Sequence, residues 1–182
     1  MHTGLERKFA RFGDGVKVQD GTRIEGYASL FGAPDQGGDI VVPGAYTASL
    51  ARGGGTAIKM LWQHDPATPI GIWDEVREDS KGLWVKGRLL DTIEKGREAA
   101  ALIAAGAIDG LSIGYRTVRA SKNDKGQRLL TELELWEVSL VTFPMLPSAR
   151  VAAKSEDLSD LDQTLREIAA AFEGARATLA RR

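Results

Sequence analysis

Gly110-Leu111-Ser112-Ile113-Gly114-Tyr115 separates two fold classes. Its letters match G-x-S-x-G, the pattern of a nucleophile elbow between a strand and a following helix. Here the order is reversed. The helical pattern, Thr92 to Gly106, precedes the serine, and the residues after it continue as strand to Val118. That argues against an α/β-hydrolase and for a β-strand with alternating side chains. Leu111, Ile113 and Tyr115 then share one face, and Gly110, Ser112 and Gly114 the other. A face made of two glycines and a serine cannot pack a core. It either leaves room above the hydroxyl or seats a neighbouring element such as the Thr92–Gly106 helix.

Downstream, Asn123-Asp124-Lys125-Gly126 reads as a turn, and Arg128 to Val141 as a long strand. Its end is apolar on both faces: Trp136, Val138 and Leu140 on one, Leu133, Leu135 and Val141 on the other. Glu137 and Ser139 interrupt the second face. A carboxylate in a buried strand is costly unless paired, and an imidazole N–H is a suitable partner. The alternative is an edge strand whose Glu137 faces water.

Upstream, Ile58 to His64 reads as a strand with Met60, Trp62 and His64 on one face, ended by Asp65-Pro66. Pro69 to Val76 and Leu83 to Leu89 form a hairpin around Glu78–Gly82. Before these come a strand over Arg23–Phe31, a turn-rich loop over Gly32–Asp39, a brief strand over Ile40–Val42, and a short helix over 45–51 ended by Gly53-Gly54-Gly55. Residues 1–20 read as an N-terminal arm, with Phe12-Gly13-Asp14-Gly15 as a turn. From Ser155 a heptad-like stripe begins: Leu158, Leu161, Leu165, Ile168, Phe172, Ala175 and Leu179. The expected organisation is a mainly β protein with helices (α+β): an arm over 1–20, a body over 21–152, and a C-terminal amphipathic helix over 153–182.

Composition narrows the function classes. An apolar share of 43% suffices for a core in a chain of 182 residues. A net charge of −1 removes any bulk electrostatic case for nucleic acid or an anionic membrane surface. No apolar run approaches the ~18 residues of a membrane span. The polar, basic stretch Met1–Arg11 lacks the apolar region of a secretory signal. The absence of cysteine excludes disulfides, thiol nucleophiles and thiolate metal sites.

Of the two histidines, His2 adjoins the initiator methionine, so any imidazole chemistry falls to His64. A lone histidine at a strand end is either a base or an inert, hydrogen-bonded side chain. A metal site would have to rest on scattered carboxylates. Asp65 adjoins His64 but points to the opposite face of a regular strand, and Asp35 and Asp39 lie in a turn-rich loop. A carboxylate-pair glycoside hydrolase would draw on two of Asp35, Asp39, Asp74, Glu75 and Glu137.

Five blocks in order add a resemblance: Glu25–Gly32, Asp39–Tyr46, Leu61–Asp65 with Ile70-Gly71, Gly110–Tyr115, and Trp136–Pro144. Together they resemble the prohead (capsid maturation) proteases of tailed phages and gene transfer agents, relatives of the herpesvirus assemblins. The tail from Ser155 falls outside those blocks. The resemblance implies an assemblin-like closed β-barrel surrounded by helices, and a serine endopeptidase that needs no metal or cofactor.

The same resemblance implies His64 as base, Ser112 as nucleophile and Glu137 as third member. Glu137 stands 25 residues after Ser112, where the herpesvirus proteins carry a second histidine. It also implies an oxyanion hole from backbone N–H groups around Ser148 to Arg150. Implied substrates are the scaffold segment of the major capsid protein and the protease itself, inside assembling proheads in the host bacterial cytoplasm. The heptad tail would then serve packaging into the shell or self-association, or pack against its own barrel. A non-catalytic capsid-interior scaffolding protein is the remaining alternative.

Overall fold

The turn at Glu78–Gly82 shows how local chemistry starts the sheet. Asp79 Oδ1 accepts the backbone N–H of Lys81 at 2.8 Å and of Gly82 at 3.1 Å, and the Asp79 N–H reaches Gly82 O at 3.0 Å. An aspartate that bonds its own backbone two residues on sets such a turn. It joins the 14-residue strand Asp65–Glu78 to the strand Gly82–Leu89 in an antiparallel pair.

The computed structural model describes residues 6–10, 12–19, 21–35, 37–143 and 149–152. In chain order the strands are β1 (Glu6–Ala10), β2 (Phe12–Gln19), β3 (Arg23–Leu30), β4 (Ile40–Val41), β5 (Lys59–Trp62), β6 (Asp65–Glu78), β7 (Gly82–Leu89), β8 (Gly110–Lys122), β9 (Arg128–Val141) and β10 (Ala149–Ala152). The helices are α1 (Thr47–Ala57), between β4 and β5, and α2 (Glu94–Ala104), between β7 and β8. All strands belong to one sheet in the order β1-β8-β9-β5-β6-β7-β3-β2-β10, with β4 added on β9. β5 and β4 run parallel to β9, and β10 parallel to β2; the remaining pairs are antiparallel.

The path is open, with no pairing of β1 to β10 among the described residues. The expected closed barrel is therefore, over these residues, a curled sheet. The curl is tight: Cα atoms of β10 come within 8 Å of β8, and those of β1 within 8 Å of β3. Its apolar inner face holds Ile24, Ile70, Trp73, Leu83, Ile113, Tyr115, Leu130 and Val138, all almost fully buried, with Ala99 and Ile103 of α2 packed against them. Bulges drive the curl, because an extra residue on one strand bends it and strengthens its twist.

Three expectations change. Residues 12–15 are not a turn but the start of β2, which pairs with β3 over Lys17–Gln19 and with β10 over Phe12–Lys17. The stretch 1–20 thus supplies two strands of the sheet.

The α1 helix runs through Gly53-Gly54-Gly55 instead of stopping there. Tertiary anchors outweigh the poor helix propensity of glycine. Glu78 accepts the N–H groups of Gly44 and, at 3.0 Å, Tyr46 just before the helix, and Ser49 Oγ accepts the Leu135 N–H at 2.9 Å.

The third change is at His64, which is not in β5. The α2 helix ends as the sequence suggests: Gly106 takes φ +69°, and Gly106 N and Ala107 N bond Ile103 O and Leu102 O, a Schellman cap. The heptad stripe over 153–182 lies outside the described residues.

Candidate active site

The β8–β9 pair makes the floor of the site. Leu111, Ile113, Tyr115 and Thr117 oppose Leu140, Val138, Leu135 and Leu133. These partners alternate regularly on β8 but not on β9. Gly114 opposes Glu137 while Tyr115 opposes Leu135, so Trp136 is an unpaired bulge residue. The bulge shifts the alternation by one.

Leu133, Leu135, Val138 and Leu140 therefore all face the core, where each is at most 4% exposed. This corrects the sequence-based faces, which put Leu133 and Leu135 beside Glu137 and set Val138 with Trp136. Glu137 and Ser139 occupy the opposite face, directly across from Gly114 and Ser112. Trp136, pushed out at the bulge, is 41% exposed.

His64 arrives from the other side of β9. β5 pairs parallel with β9, Lys59 opposite Glu137 and Leu61 opposite Ser139. The chain then reverses at once: Trp62 pairs with Asp65, leaving Gln63 and His64 as a two-residue loop. Their φ values are +52° and +62°, as in the type I′ turn that joins twisted hairpin strands. Such turns favour Asn-Gly, and a residue with a Cβ is strained there, at about 1–3 kcal/mol each.

The turn is held by hydrogen bonds to β9 and to Thr142 just beyond it. Gln63 N–H donates to Leu140 O at 2.9 Å, Gln63 Nε2 to Thr142 Oγ1 at 2.6 Å, and Thr142 N–H to Gln63 Oε1 at 3.3 Å. His64 N–H donates to Ser139 Oγ at 3.2 Å.

The reversal brings the imidazole to Glu137. His64 Nδ1 lies 2.5 Å from Glu137 Oε1, and Ser139 Oγ donates to Glu137 Oε2 at 2.5 Å. A carboxylate only accepts, so the proton on the first bond belongs to Nδ1. His64 is 6% exposed, Glu137 4%, and Ser112 and Ser139 are fully buried. Out of water, each of these interactions is stronger than on the surface, and an unmade one more costly.

Gly114 has a specific role here. A Cβ at that position would stand 2.1 Å from Glu137 Oε1, so only glycine leaves space for the carboxylate. Of the two readings of the Gly-Ser-Gly face, the structure supports a seat, and what it seats is the Glu137 side chain. The Thr92–Gly106 helix lies elsewhere.

The structure thus brings His64 and Glu137 into contact and sets Ser112 one strand from Ser139 on the same face. Ser139, which links the two contacting residues, was not singled out from sequence. Its signal is the i, i+2 spacing from Glu137, which puts both on one face of a strand.

The rival carboxylates are engaged elsewhere. Asp65 accepts from Ala67 N at 2.9 Å and Thr68 Oγ1 at 2.5 Å; the Thr68 bond, then the Ala67 bond, lowers its pKa. Asp35 Oδ1 accepts the Asp39 N–H at 2.8 Å, Asp39 pairs with Arg128 at 2.9 Å, Asp74 pairs with Arg88, and Glu75 pairs with Arg77 at 2.9 Å. None of these pairings involves Glu137, which takes an imidazole and a hydroxyl. Among the described residues no cluster of three or more His, Asp or Glu side chains is placed to hold a metal ion. No helix among them is long and apolar enough to cross a membrane. Of the expected oxyanion stretch, Ser148 lies outside the described residues, and Ala149 and Arg150 begin β10.

Comparison with known proteins points one way. A family model described as Caudovirus prohead serine protease matches residues 14–164, running past Ser155 into the tail. The prohead protease of Enterobacteria phage HK97 is 32% identical over 152 residues, covering 79% of this chain and 67% of that protein. The capsid polyprotein of Pseudomonas phage PAJU2 is 32% identical over 148 residues, covering 76% of this chain but 21% of the polyprotein. Among solved structures, the bacteriophage T4 capsid assembly protease aligns with a TM-score of 0.60 at 18% identity, covering 77% of this chain and 98% of that one. That last likeness is one of fold.

Proposed function

The chain belongs to the caudovirus prohead serine protease family, a family of capsid maturation proteases, and from that premise we propose that it is a serine endopeptidase with Ser112 as nucleophile, His64 as base and Glu137 as the residue that orients the base. The observation that carries this reading is the 2.5 Å contact of His64 Nδ1 with Glu137 Oε1, buried on the sheet face that also bears Ser112. With the proton on Nδ1, Nε2 keeps the lone pair that general-base chemistry needs.

In this mechanism Ser112 Oγ attacks the scissile carbonyl and its proton passes to His64 Nε2. The tetrahedral intermediate collapses as Nε2 protonates the leaving amine, giving an acyl-enzyme. A water molecule then repeats the sequence, losing its proton to Nε2, and Ser112 is released with the new carboxylate. Glu137 holds the imidazole ring and stabilises the imidazolium formed in each half. No metal or cofactor enters. The approach of β10 to β8 agrees with a contribution of the 148–150 backbone to an oxyanion hole.

The substrate class is the capsid protein with its scaffold segment, and the protease itself, cleaved inside proheads assembling in the host cytoplasm. The test is processing of a capsid precursor that carries its scaffold segment, run beside labelling by a fluorophosphonate. Wild type processes the precursor and is labelled at Ser112. Ser112→Ala loses both, and His64→Ala loses processing. Continued processing by Ser112→Ala sinks the peptidase mechanism.

A further inference from the structure

Ser139 stands on β9 between β8, which carries the proposed nucleophile, and β5, whose following turn carries the base. Its Cα is the register partner of Ser112 on β8 and of Leu61 on β5. Its side chain is fully buried, and a buried hydroxyl that only filled space would be a liability. This one is used twice. A hydroxyl has one hydrogen to donate and lone pairs to accept with. The hydrogen goes to Glu137 Oε2 at 2.5 Å, since a carboxylate cannot donate. A lone pair takes the backbone N–H of His64 at 3.2 Å.

The consequence is geometric. Glu137 Oε1 is fixed by the imidazole and Oε2 by Ser139, so the carboxylate cannot rotate about its terminal bond without breaking one of them. The hydroxyl also ties the strained backbone of His64 to the group that holds its ring. One atom thus fixes the base at its main chain and, through Glu137, at its side chain.

We infer that Ser139 is a positioning residue of the active site, acting on the base through Glu137 and through the His64 main chain. The inference rests on the triad reading above and adds a fourth residue to it.

Ser139→Ala removes the hydroxyl and little else. On capsid precursor it is expected to lower kcat about 10- to 100-fold, the loss that goes with one hydrogen bond to a charged group, with KM within about twofold of wild type. Two further readouts separate positioning from mere packing. The chain has two histidines, so the Nδ1–H proton of His64 is assignable by NMR against His64→Gln. Ser139→Ala should shift and broaden it, and Ser139→Thr, which keeps the hydroxyl, should restore it. In a Glu137→Gln background, Ser139→Ala should cost less than it does in wild type, because the path through Glu137 is already weakened and only the bond to the His64 main chain is left to lose.

Unchanged kcat and an unmoved proton resonance in Ser139→Ala overturn the inference; so does full multiplication of the two single losses. The outcomes stay separable from those of the triad reading. Absence of Ser112 labelling in wild type sinks the triad but leaves the resonance to report on Ser139. Loss of activity in Ser112→Ala and His64→Ala, with Ser139→Ala as fast as wild type, sinks only the role of Ser139.

Discussion

Substituting Gly114 by alanine tests the site at its tightest point. The added methyl would lie 2.1 Å from Glu137 Oε1, 2.7 Å from Cδ and 2.8 Å from Cγ, all inside the closest approach that real side chains make. A glutamate is flexible, but this one is held at both oxygens, by His64 and by Ser139. Clearing the methyl breaks at least one of those bonds, at about 1.5–3 kcal/mol for a bond to a charged group. Overpacking adds about 1–3 kcal/mol. A total of about 2.5–6 kcal/mol in a domain of this size lowers Tm by on the order of 10 °C. With Glu137 displaced, the His64 ring loses its orientation, and kcat should fall by about 10²- to 10⁴-fold. Thermal unfolding and precursor processing measure the two effects. Ile113→Val, one residue away on the core face, is the control; it should cost about 1 kcal/mol with no specific loss of activity. A Gly114→Ala variant that melts within about a degree of wild type and processes the precursor within about twofold of its rate refutes a carboxylate held against Gly114.

Three further outcomes follow from other elements. Deleting Trp136 removes the bulge yet leaves Leu135 opposite Tyr115 and Glu137 opposite Gly114, so the deletion and Trp136→Ala should both keep Glu137 and Ser139 on the site face and retain folding and activity, judged by circular dichroism and processing; an unfolded Trp136→Ala would contradict an extra, outward residue at this position. His64→Gly should be more stable than His64→Ala by about 1 kcal/mol in urea unfolding, because glycine carries no left-handed penalty at φ +62°; equal stabilities would refute a strained turn. Asp79→Ala should lose about 1 kcal/mol of stability near neutral pH. Burial opposes ionisation of Asp79, yet the Lys81 and Gly82 N–H groups, Tyr27 and Arg77 together lower its pKa below the usual 3.8. A lowered pKa contributes stability that is complete above the unfolded value and is lost as pH falls through the folded one. The gap between wild type and Asp79→Ala should therefore narrow below about pH 4, and a gap constant from pH 7 to pH 2.5 contradicts the assignment.

What could be read from the sequence was whatever obeys a period. The strand Arg128–Val141, the turns at 78–82 and 123–126, and the glycine cap at Gly106 follow from alternation and turn chemistry, and all are present. The contact of His64 with Glu137 was also legible, because a buried carboxylate requires a partner and the chain offers one usable imidazole.

The departures from period were not legible. Nothing in Leu135-Trp136-Glu137 marks Trp136 as the residue left unpaired. Gln63-His64 carries neither the asparagine nor the glycine of a two-residue hairpin, so its letters extend the strand to His64. The helix across Gly53-Gly54-Gly55 depends on Ser49 and Glu78, whose partners are distant in sequence.

The bulge at Trp136 and the turn at Gln63-His64 are one device. Without the bulge, Glu137 would share a face with Leu133 and Leu135 in the core, where an unpaired carboxylate costs several kcal/mol. Without the turn, His64 would continue the row of Met60 and Trp62 instead of folding back over β9. Each is unfavourable alone: the bulge gives up sheet pairing at Trp136, and the turn holds two residues at positive φ. Together they are self-supporting, because the groups freed by one are the partners of the other. Ser139 and Glu137, set on the site face by the bulge, take the N–H and the ring of His64. The strain at Gln63-His64 therefore persists only while the end of β9 keeps its shape. A change that loosens β9 near Leu140 and Thr142, which anchor Gln63, should reach the base without touching any residue of the proposed triad.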